Sequence, residues 1–269
     1  MVTPTEAADA LSPAVGLWTD FGAPASVDWC EQNYVWVNWI AEFWNVLSSL
    51  PMVAVGLVAL WRVSKADWPV ERRFVLCFAG LTIVGLGSAA FHGTLLHVAQ
   101  ALDELPMVYC SLVMAYCIIV RRRDAARDAS ILRRWQIIFT VYSAGFTAAY
   151  FLIPDYFVLF IISFAGVVTY LVVEGWRIVF RQSASPLLRR LYITAAGAFV
   201  SAVGVFWIPE RALPCDHALQ AVHLHVWFHL LAMVGTYVGF LVVVYDRLTT
   251  LEQDPILTGR VVPWVSPRK

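Results

Sequence analysis

The chain has 269 residues, of which 60% are hydrophobic and only 14% are charged. Soluble domains are about half apolar and a quarter charged, so this composition excludes an ordinary soluble protein and indicates a membrane protein. The formal net charge is zero, so the overall balance points to no particular partner, and we expect no nucleic-acid partner and no obligatory protein partner.

Apolar stretches of about 20 residues are candidates for transmembrane helices. Seven such stretches follow one another with short connections, so we predict an all-α membrane protein that forms one bundle of seven transmembrane helices. The predicted spans cover residues 38–61, 74–95, 101–120, 135–153, 156–176, 191–208 and 221–245. The predicted division is an N-terminal tail and loop over 1–37, a transmembrane domain over 38–249 and a polar or irregular tail over 250–269.

Basic residues are distributed unevenly around these spans. Of the 19 Lys and Arg residues, Arg211 alone lies on the side that also holds the N-terminus, and the others follow the odd-numbered spans. Cytoplasmic connections carry the excess of Lys and Arg. We therefore predict a lumenal or extracellular N-terminus and a cytosolic C-terminus.

Polar side chains from three predicted spans fall at one depth, in the outer third of the bundle. Ser88 and His92 end the second span, Asp103 lies in the first turn of the third, and His225 and His229 are four residues apart on one face of the seventh. Ionisable groups inside spans cost a few kcal/mol and usually mark function. Three imidazoles beside a carboxylate match catalytic zinc ligation with an open fourth position. Histidines that form interhelical hydrogen bonds or relay protons are the alternative that spacing leaves open.

Other polar residues near these positions carry weaker signals. His97, His217 and His223 are predicted to be exposed or interfacial. Glu104 lies about 100° around the helix from Asp103, so only one of the two carboxylates can face a given site.

The segment before the first span, "SVDWCEQNYVWVNWIAEFWN", is rich in oxygen donors. Hard oxygen ligands on a loop suit Ca²⁺, and the candidates are Asp28, Glu31, Asn33 and Glu42. The alternative is an ordinary polar loop that leads into an aromatic belt at the membrane surface, formed by Trp29, Tyr34, Trp36 and Trp39. Glu42 favours the cation over this alternative, because it lies one turn inside the span and needs a partner there.

Two of the five cysteines, Cys30 and Cys215, are predicted to lie on the outer side. An oxidising lumen permits a disulfide between them. Such a bond would hold the oxygen-rich loop against the seventh helix.

Three pairs of motifs resemble one known family. They are "DWCEQNY" with "IAEFWN", "GSAAFHGTL" with "LDELPM", and "HVWFH" with the late "VVPW". The chain resembles the alkaline ceramidases, seven-span zinc amidases in a superfamily that also contains the adiponectin receptors. The resemblance extends over residues 17–265.

The resemblance implies a site and an activity. It places zinc on His92, His225 and His229, and catalysis on Ser88 and Asp103. It places calcium on Asp28, Glu31, Asn33, Glu42 and the main-chain carbonyl of Trp29, and pairs Cys30 with Cys215. The implied reaction is hydrolysis of the N-acyl bond of ceramide, dihydroceramide or phytoceramide to a sphingoid base and a fatty acid. The implied enzyme is a multi-pass protein of the endoplasmic reticulum and/or Golgi membrane, and its domain over residues 38–249 is catalytic.

Two other classes of protein share parts of this pattern. A receptor related to the adiponectin receptors would also have seven spans and a zinc site, but the "DWCEQNY" loop and Glu42 belong to the ceramidase branch. A transporter is compatible with the hydropathy alone. No inverted repeat or pair of broken helices supports it.

Overall fold

The computed structural model describes Trp18 and residues 21–153, 156–181 and 185–268. The predicted tail residues 1–17, 19 and 20, and Lys269, lie outside these ranges. The long helices are α1 (Phe43–Ser64), α2 (Arg72–Thr94), α3 (His97–Ile119), α4 (Ala129–Leu152), α5 (Tyr156–Arg181), α6 (Pro186–Ala212) and α7 (Leu224–Thr250). A 3₁₀ turn, Ala218–Val222, precedes α7, and strands β1 (Pro255–Thr258) and β2 (Trp264–Pro267) follow it.

Six of the helices in the described ranges are long and apolar enough to cross a membrane. The protein is therefore a mostly helical, multi-pass membrane protein. The exception is α4, which corresponds to the predicted fourth span and carries Arg133, Arg134 and Gln136 near its start and Ser143 and Thr147 in its interior. These polar side chains lower its hydropathy, so the count of seven spans stays a prediction.

Successive helices run in opposite directions, which gives the bundle two distinct ends. The histidine end holds the segment before α1, the junction of α2 with α3, and the start of α7 at Leu224. The hairpin end holds the junction of α1 with α2 and the antiparallel hairpin of β1 and β2.

The α2–α3 crossing is closest beside the candidate catalytic residues. A Cβ atom added to Gly87 would lie 1.9 Å from the carbonyl oxygen of Leu102, so only glycine permits this approach. Pro106 has no N–H to donate to that carbonyl four residues earlier. The close crossing brings Ser88, next to Gly87, towards Asp103, next to Leu102.

Helix α6 changes its winding before it ends. It is α-helical over Pro186–Ser201, π-helical over Ala202–Trp207 and α-helical again over Ile208–Ala212. π-Helical turns occur as local widenings within α-helices, frequently at functional sites, and this one immediately precedes Pro209, which has no N–H for the ladder. The helix extends beyond its predicted end at residue 208 and so includes Glu210.

The core at the hairpin end is apolar and includes the end of the chain. Trp264 of β2 is 7% exposed and Val265 is fully buried. The Trp264 ring lies 5.5 Å from that of Phe78 on α2, which also contacts Phe240 of α7 at 5.8 Å. The prediction of a polar or irregular tail over 250–269 is thus partly wrong, because the adjacent buried residues Trp264 and Val265 anchor the hairpin to the bundle.

Candidate metal centre

Three histidines from two helices meet at the histidine end. The ring of His92 lies 5.0 Å from that of His225 and 4.9 Å from that of His229, and the last two rings lie 4.4 Å apart. One nitrogen from each of the three lies within 4.8 Å of the others. The side chains are 0%, 4% and 3% exposed respectively, so the set forms a buried cluster with the geometry to hold a metal ion.

Each imidazole is held through its Nδ1 atom. That of His92 contacts Oε2 of Glu42, that of His225 lies 2.9 Å from Oε2 of Glu210, and that of His229 lies 2.8 Å from the Ser48 hydroxyl. Since the Nδ1 atoms are engaged, the Nε2 atoms remain to bind a metal. Contacts of this kind fix the ring orientation and tautomer of metal-binding histidines.

The Nε2 atom of His92 supports this assignment. It is buried and has no hydrogen-bond partner among the described residues. A buried polar atom without a partner costs about 1–3 kcal/mol, and coordination to a cation would remove that cost.

Ser88 and Asp103 lie beside the histidines. The Ser88 hydroxyl is 2.9 Å from that of Ser49 and 3.5 Å from Nε2 of His229. Asp103 is half-buried and borders the same cavity as Ser88 and His229. Because α3 begins at His97, Asp103 lies in its second turn rather than the predicted first.

The Glu104 side chain makes different contacts from that of Asp103. Its carboxylate accepts hydrogen bonds of 2.8 Å from Gln100 Nε2 and from the Tyr150 hydroxyl. Although Glu104 also borders the cavity, its oxygens are engaged by α3 and α4. Asp103 is therefore the better candidate for proton transfer, as the helical spacing predicts.

Glu31 has a structural role that the sequence analysis missed. Its two carboxylate oxygens accept the main-chain N–H groups of Trp44 and Asn45, at 2.7 and 2.9 Å. These N–H groups belong to the first turn of α1, where no intrahelical acceptor exists. Glu42 precedes the helix without capping it, so Glu31 caps α1 from the loop.

The remaining candidate calcium ligands lie in the same loop. The Asn33 amide donates to both carboxylate oxygens of Asp28, at 3.2 and 3.1 Å. Burial, together with the neighbouring Glu42 carboxylate, raises the pKa of Asp28 to about 6. Among the described residues, however, these carboxylates do not converge on one point as the histidines do.

Glu42 connects the loop with the histidines. Its Oε1 accepts the Trp29 main-chain N–H at 2.8 Å, and its Oε2 contacts Asn45 Nδ2 at 3.2 Å as well as His92. The side chain is completely buried. A residue that the sequence assigns to calcium alone therefore also orients a candidate zinc ligand.

The loop is further attached to the segment between α6 and α7 by a disulfide, and to α7 itself by a ring contact. Cys30 and Cys215 are bonded, with Cα atoms 5.0 Å apart. The Trp29 ring lies 3.8 Å from that of His225 and is only 9% exposed. Trp29 is thus not part of an exposed aromatic belt, whereas Trp36 and Trp39 are 59% and 56% exposed, as predicted for such a belt.

Two of the weaker histidine predictions have different outcomes. His223 is exposed, as expected, and has a left-handed backbone conformation with φ of 51° before α7. His97 was expected to be exposed or interfacial, but it is half-buried, and its Nδ1 lies 3.0 Å from the Tyr156 hydroxyl. His97 stacks on Tyr150, so it stabilises the packing of α3 against α4 and α5.

The fold and the site together define a class of protein. The protein is a multi-pass membrane protein with a cluster of three buried imidazoles, two of which line one cavity together with a hydroxyl and a carboxylate. These are the parts of a membrane-embedded hydrolase.

Comparison with known proteins agrees with this class. The family model described as "Ceramidase" matches residues 23–266. The chain is 28% identical over 261 residues to alkaline ceramidase 3 of Mus musculus, covering 91% of this chain and 92% of that protein. It is 27% identical over 265 residues to alkaline ceramidase YPC1 of Saccharomyces cerevisiae, covering 90% and 82%. The chain belongs to the ceramidase family, and the resemblance seen in its motifs is confirmed.

Proposed function

We propose that this protein is a zinc-dependent ceramide amidohydrolase. It cleaves the N-acyl bond of ceramide, including dihydro- and phytoceramide, to give a sphingoid base and a free fatty acid. The observation that carries the proposal is the buried cluster of His92, His225 and His229 beside Ser88 and Asp103. Family membership supports the same reaction, because the relatives are named alkaline ceramidases.

The donor set fits zinc better than a hard cation. Three neutral imidazoles with one open position are a known catalytic zinc site, whereas Ca²⁺ and Mg²⁺ prefer oxygen ligands. The unpartnered Nε2 of buried His92 supports a cation at this point. When bound, zinc would lower the pKa of a coordinated water to about 7 and polarise the amide carbonyl.

The side chains around the histidines supply proton transfer and charge stabilisation. Asp103 would accept a proton from the attacking water through its carboxylate and return it to the leaving amine nitrogen. The Ser88 hydroxyl would donate a hydrogen bond to the carbonyl oxygen as negative charge develops there. Ser49, at 2.9 Å, orients that hydroxyl.

Three further residues hold the histidines in place. Glu42, Glu210 and Ser48 engage the Nδ1 atoms, and all three are at most 6% exposed. Apolar rings close the site around them, with Trp29 on one side of His225 and Phe228 within 5.2 Å of it on the other. Exclusion of water by these rings strengthens every electrostatic interaction in the site.

The loop before α1 is proposed to bind calcium through Asp28, Glu31, Asn33, Glu42 and the Trp29 carbonyl. The donor chemistry is that of a hard cation, and Asn33 Oδ1 is buried without a hydrogen-bond partner among the described residues. Its effect on the reaction would be indirect. The loop contacts His92 through Glu42 and His225 through Trp29.

The proposed setting is a seven-span arrangement in the endoplasmic reticulum and/or Golgi membrane. The histidine end and the N-terminus would face the lumen, with the C-terminus in the cytosol. A scissile amide at this depth would lie near the lumenal interface, where a membrane lipid already places its polar group.

Hydrolysis by the purified protein tests the proposal. Wild-type protein in detergent or vesicles should release fatty acid from ceramide, lose activity on removal of zinc by a chelator, and regain it with added Zn²⁺. Asp103→Asn protein, loaded with equal zinc, is the matched control and should be inactive. Zinc-loaded wild-type protein that hydrolyses no ceramide would contradict the proposal and favour a receptor with a structural zinc site.

A further inference from the structure

The cavity beside the histidines continues along the bundle to the hairpin end. On α3 its wall is formed at successive turns by Asp103, Met107, Cys110, Met114, Ile118 and Arg121. On α7 it is bordered at each turn from His229 to Asp246, and α5 and α6 form the remaining walls. Apart from its two ends, this wall is almost entirely apolar.

The cavity is deep and narrow. Residues 229 and 246 of α7 are 17 positions apart, which corresponds to about 25 Å along a helix. One leaflet contributes about half of the ~30 Å hydrocarbon core of a bilayer, so the cavity is deeper than one leaflet. Its volume of about 180 Å³ is small for such a depth, so it has the shape of a channel for a single chain.

A mostly buried ion pair closes the channel at the hairpin end. Nη1 of Arg121 donates to both carboxylate oxygens of Asp246, each at 3.0 Å. The two side chains are 15% and 13% exposed. Beyond them lies a second, polar cavity bordered by Ser185, Tyr245 and Thr249, and Asp246 borders both cavities.

We propose that the channel receives one alkyl chain of the substrate and that the Arg121–Asp246 pair is its floor, which limits the length of the chain. This inference rests on the proposed ceramide hydrolysis and names a determinant of its specificity. Each methylene group gains free energy from burial in an apolar wall. A chain that reaches the floor gains nothing further, because desolvating or separating a buried ion pair is costly.

Both partners of the floor can be removed together. A double substitution, Arg121→Ala with Asp246→Ala, eliminates both partners and joins the channel to the polar cavity. The ion pair of Glu174 with Arg177, on the last turns of α5 at the same end, borders neither cavity. Glu174→Ala with Arg177→Ala is therefore the matched control.

A second variant tests the same channel in the opposite direction. Thr236 borders the channel about two turns below His229, about 10 Å along α7. Thr236→Phe would place a ring across it and raise the floor. Thr236→Val keeps the size of the side chain and serves as its control.

The measurement is the rate of hydrolysis across two substrate series. One series varies the N-acyl chain over about 8, 16 and 24 carbons, lengths chosen against the ~30 Å thickness of the bilayer hydrocarbon core. The other series varies the sphingoid base over a similar range. The double alanine variant should raise the relative rate on the longest member of one series roughly tenfold, the value for about two further buried methylene groups. Thr236→Phe should favour the shortest member of that series, and the controls should match wild type.

The outcomes separate this inference from the proposed function. A shift in one series identifies whether the acyl chain or the sphingoid chain occupies the channel. Unchanged length profiles in both variants, with wild-type protein active on ceramide, would overturn the channel floor alone. Equal shifts in both series would also overturn it, since a channel for one chain discriminates within one series. Absence of ceramide hydrolysis by wild type would overturn the proposed function instead.

Discussion

At the histidine end the buried residues are largely polar, and at the hairpin end they are almost all apolar. Glu42, Asn45 and Ser49 at the histidine end are each at most 1% exposed, and each is hydrogen-bonded to another side chain or to the main chain. At the hairpin end the equivalent depth is filled by rings such as Phe78 and Phe240. The same bundle therefore combines two kinds of core.

The difference between the two cores means that the stability of the fold and the geometry of the site depend on different sets of buried residues. A buried polar network is favourable only when every member is satisfied, and an unpartnered group costs about 1–3 kcal/mol. Apolar packing tolerates small changes with smaller losses. Substitutions in the polar core of the histidine end should therefore alter chemistry or metal binding, whereas those in the apolar core of the hairpin end should alter stability.

The largest expected effect on chemistry follows from His229→Ala. Loss of one of three imidazoles should remove stoichiometric zinc and reduce hydrolysis by at least about a thousandfold, since metal-assisted charge stabilisation is lost. Metal analysis and product release would measure both. His217→Ala, at an exposed histidine of the same end, should leave both unchanged. An active, zinc-loaded His229→Ala protein would remove the three-histidine centre from the mechanism.

Asp103→Asn should have the next largest effect. Loss of the general base is expected to reduce turnover by about 10²–10⁴-fold while zinc stays bound, because the carboxylate contacts no Nδ1 atom of the three histidines. Single-turnover hydrolysis at matched zinc content would measure it. Retention of more than about a tenth of wild-type turnover would exclude Asp103 as the base.

Glu42→Gln should have an intermediate effect on hydrolysis, and it should also weaken zinc binding, which the sequence does not predict. Assignment to calcium alone predicts unchanged zinc, but contact with His92 Nδ1 predicts zinc affinity weaker by about 10–100-fold. A competitive titration with a zinc chelator would distinguish the two. Wild-type zinc affinity in this variant would restrict Glu42 to the loop.

The smallest effect on chemistry is expected from Trp264→Ala at the hairpin end. Loss of a buried ring should lower the free energy of unfolding by about 3–5 kcal/mol, detectable as a lower melting temperature in detergent. Zinc content and turnover of the folded fraction should match wild type. A selective loss of zinc would show that the two ends are coupled.

Much of the candidate site is predictable because it depends on local periodicity. The spacing of His225 and His229 fixes their common face, and alternating spans place His92 at the same end. The predicted position of Asp103 within its helix differs from the observed one by one turn, because α3 starts earlier than its hydropathy indicates.

Contacts between distant segments are not predictable in this way. Glu210 lies beyond the predicted sixth span, in the α-helical turn that follows the π-helical segment, and its hydrogen bond to His225 joins α6 to α7. Ser48 is a common residue type in membrane helices, and only the crossing of α1 with α7 makes it a partner of His229. A lone carboxylate near the end of an apolar span is the one signal that would have identified Glu210.

The disulfide between Cys30 and Cys215 also has a consequence for biosynthesis. The two cysteines are 185 residues apart, so the bond forms only after most of the chain has been translated, and His225 and His229 follow still later. A nascent or prematurely terminated chain would contain His92 without its partner imidazoles. The three-histidine centre is thus complete only at the end of synthesis, and the bond that holds the loop beside it forms only in a compartment oxidising enough to permit it.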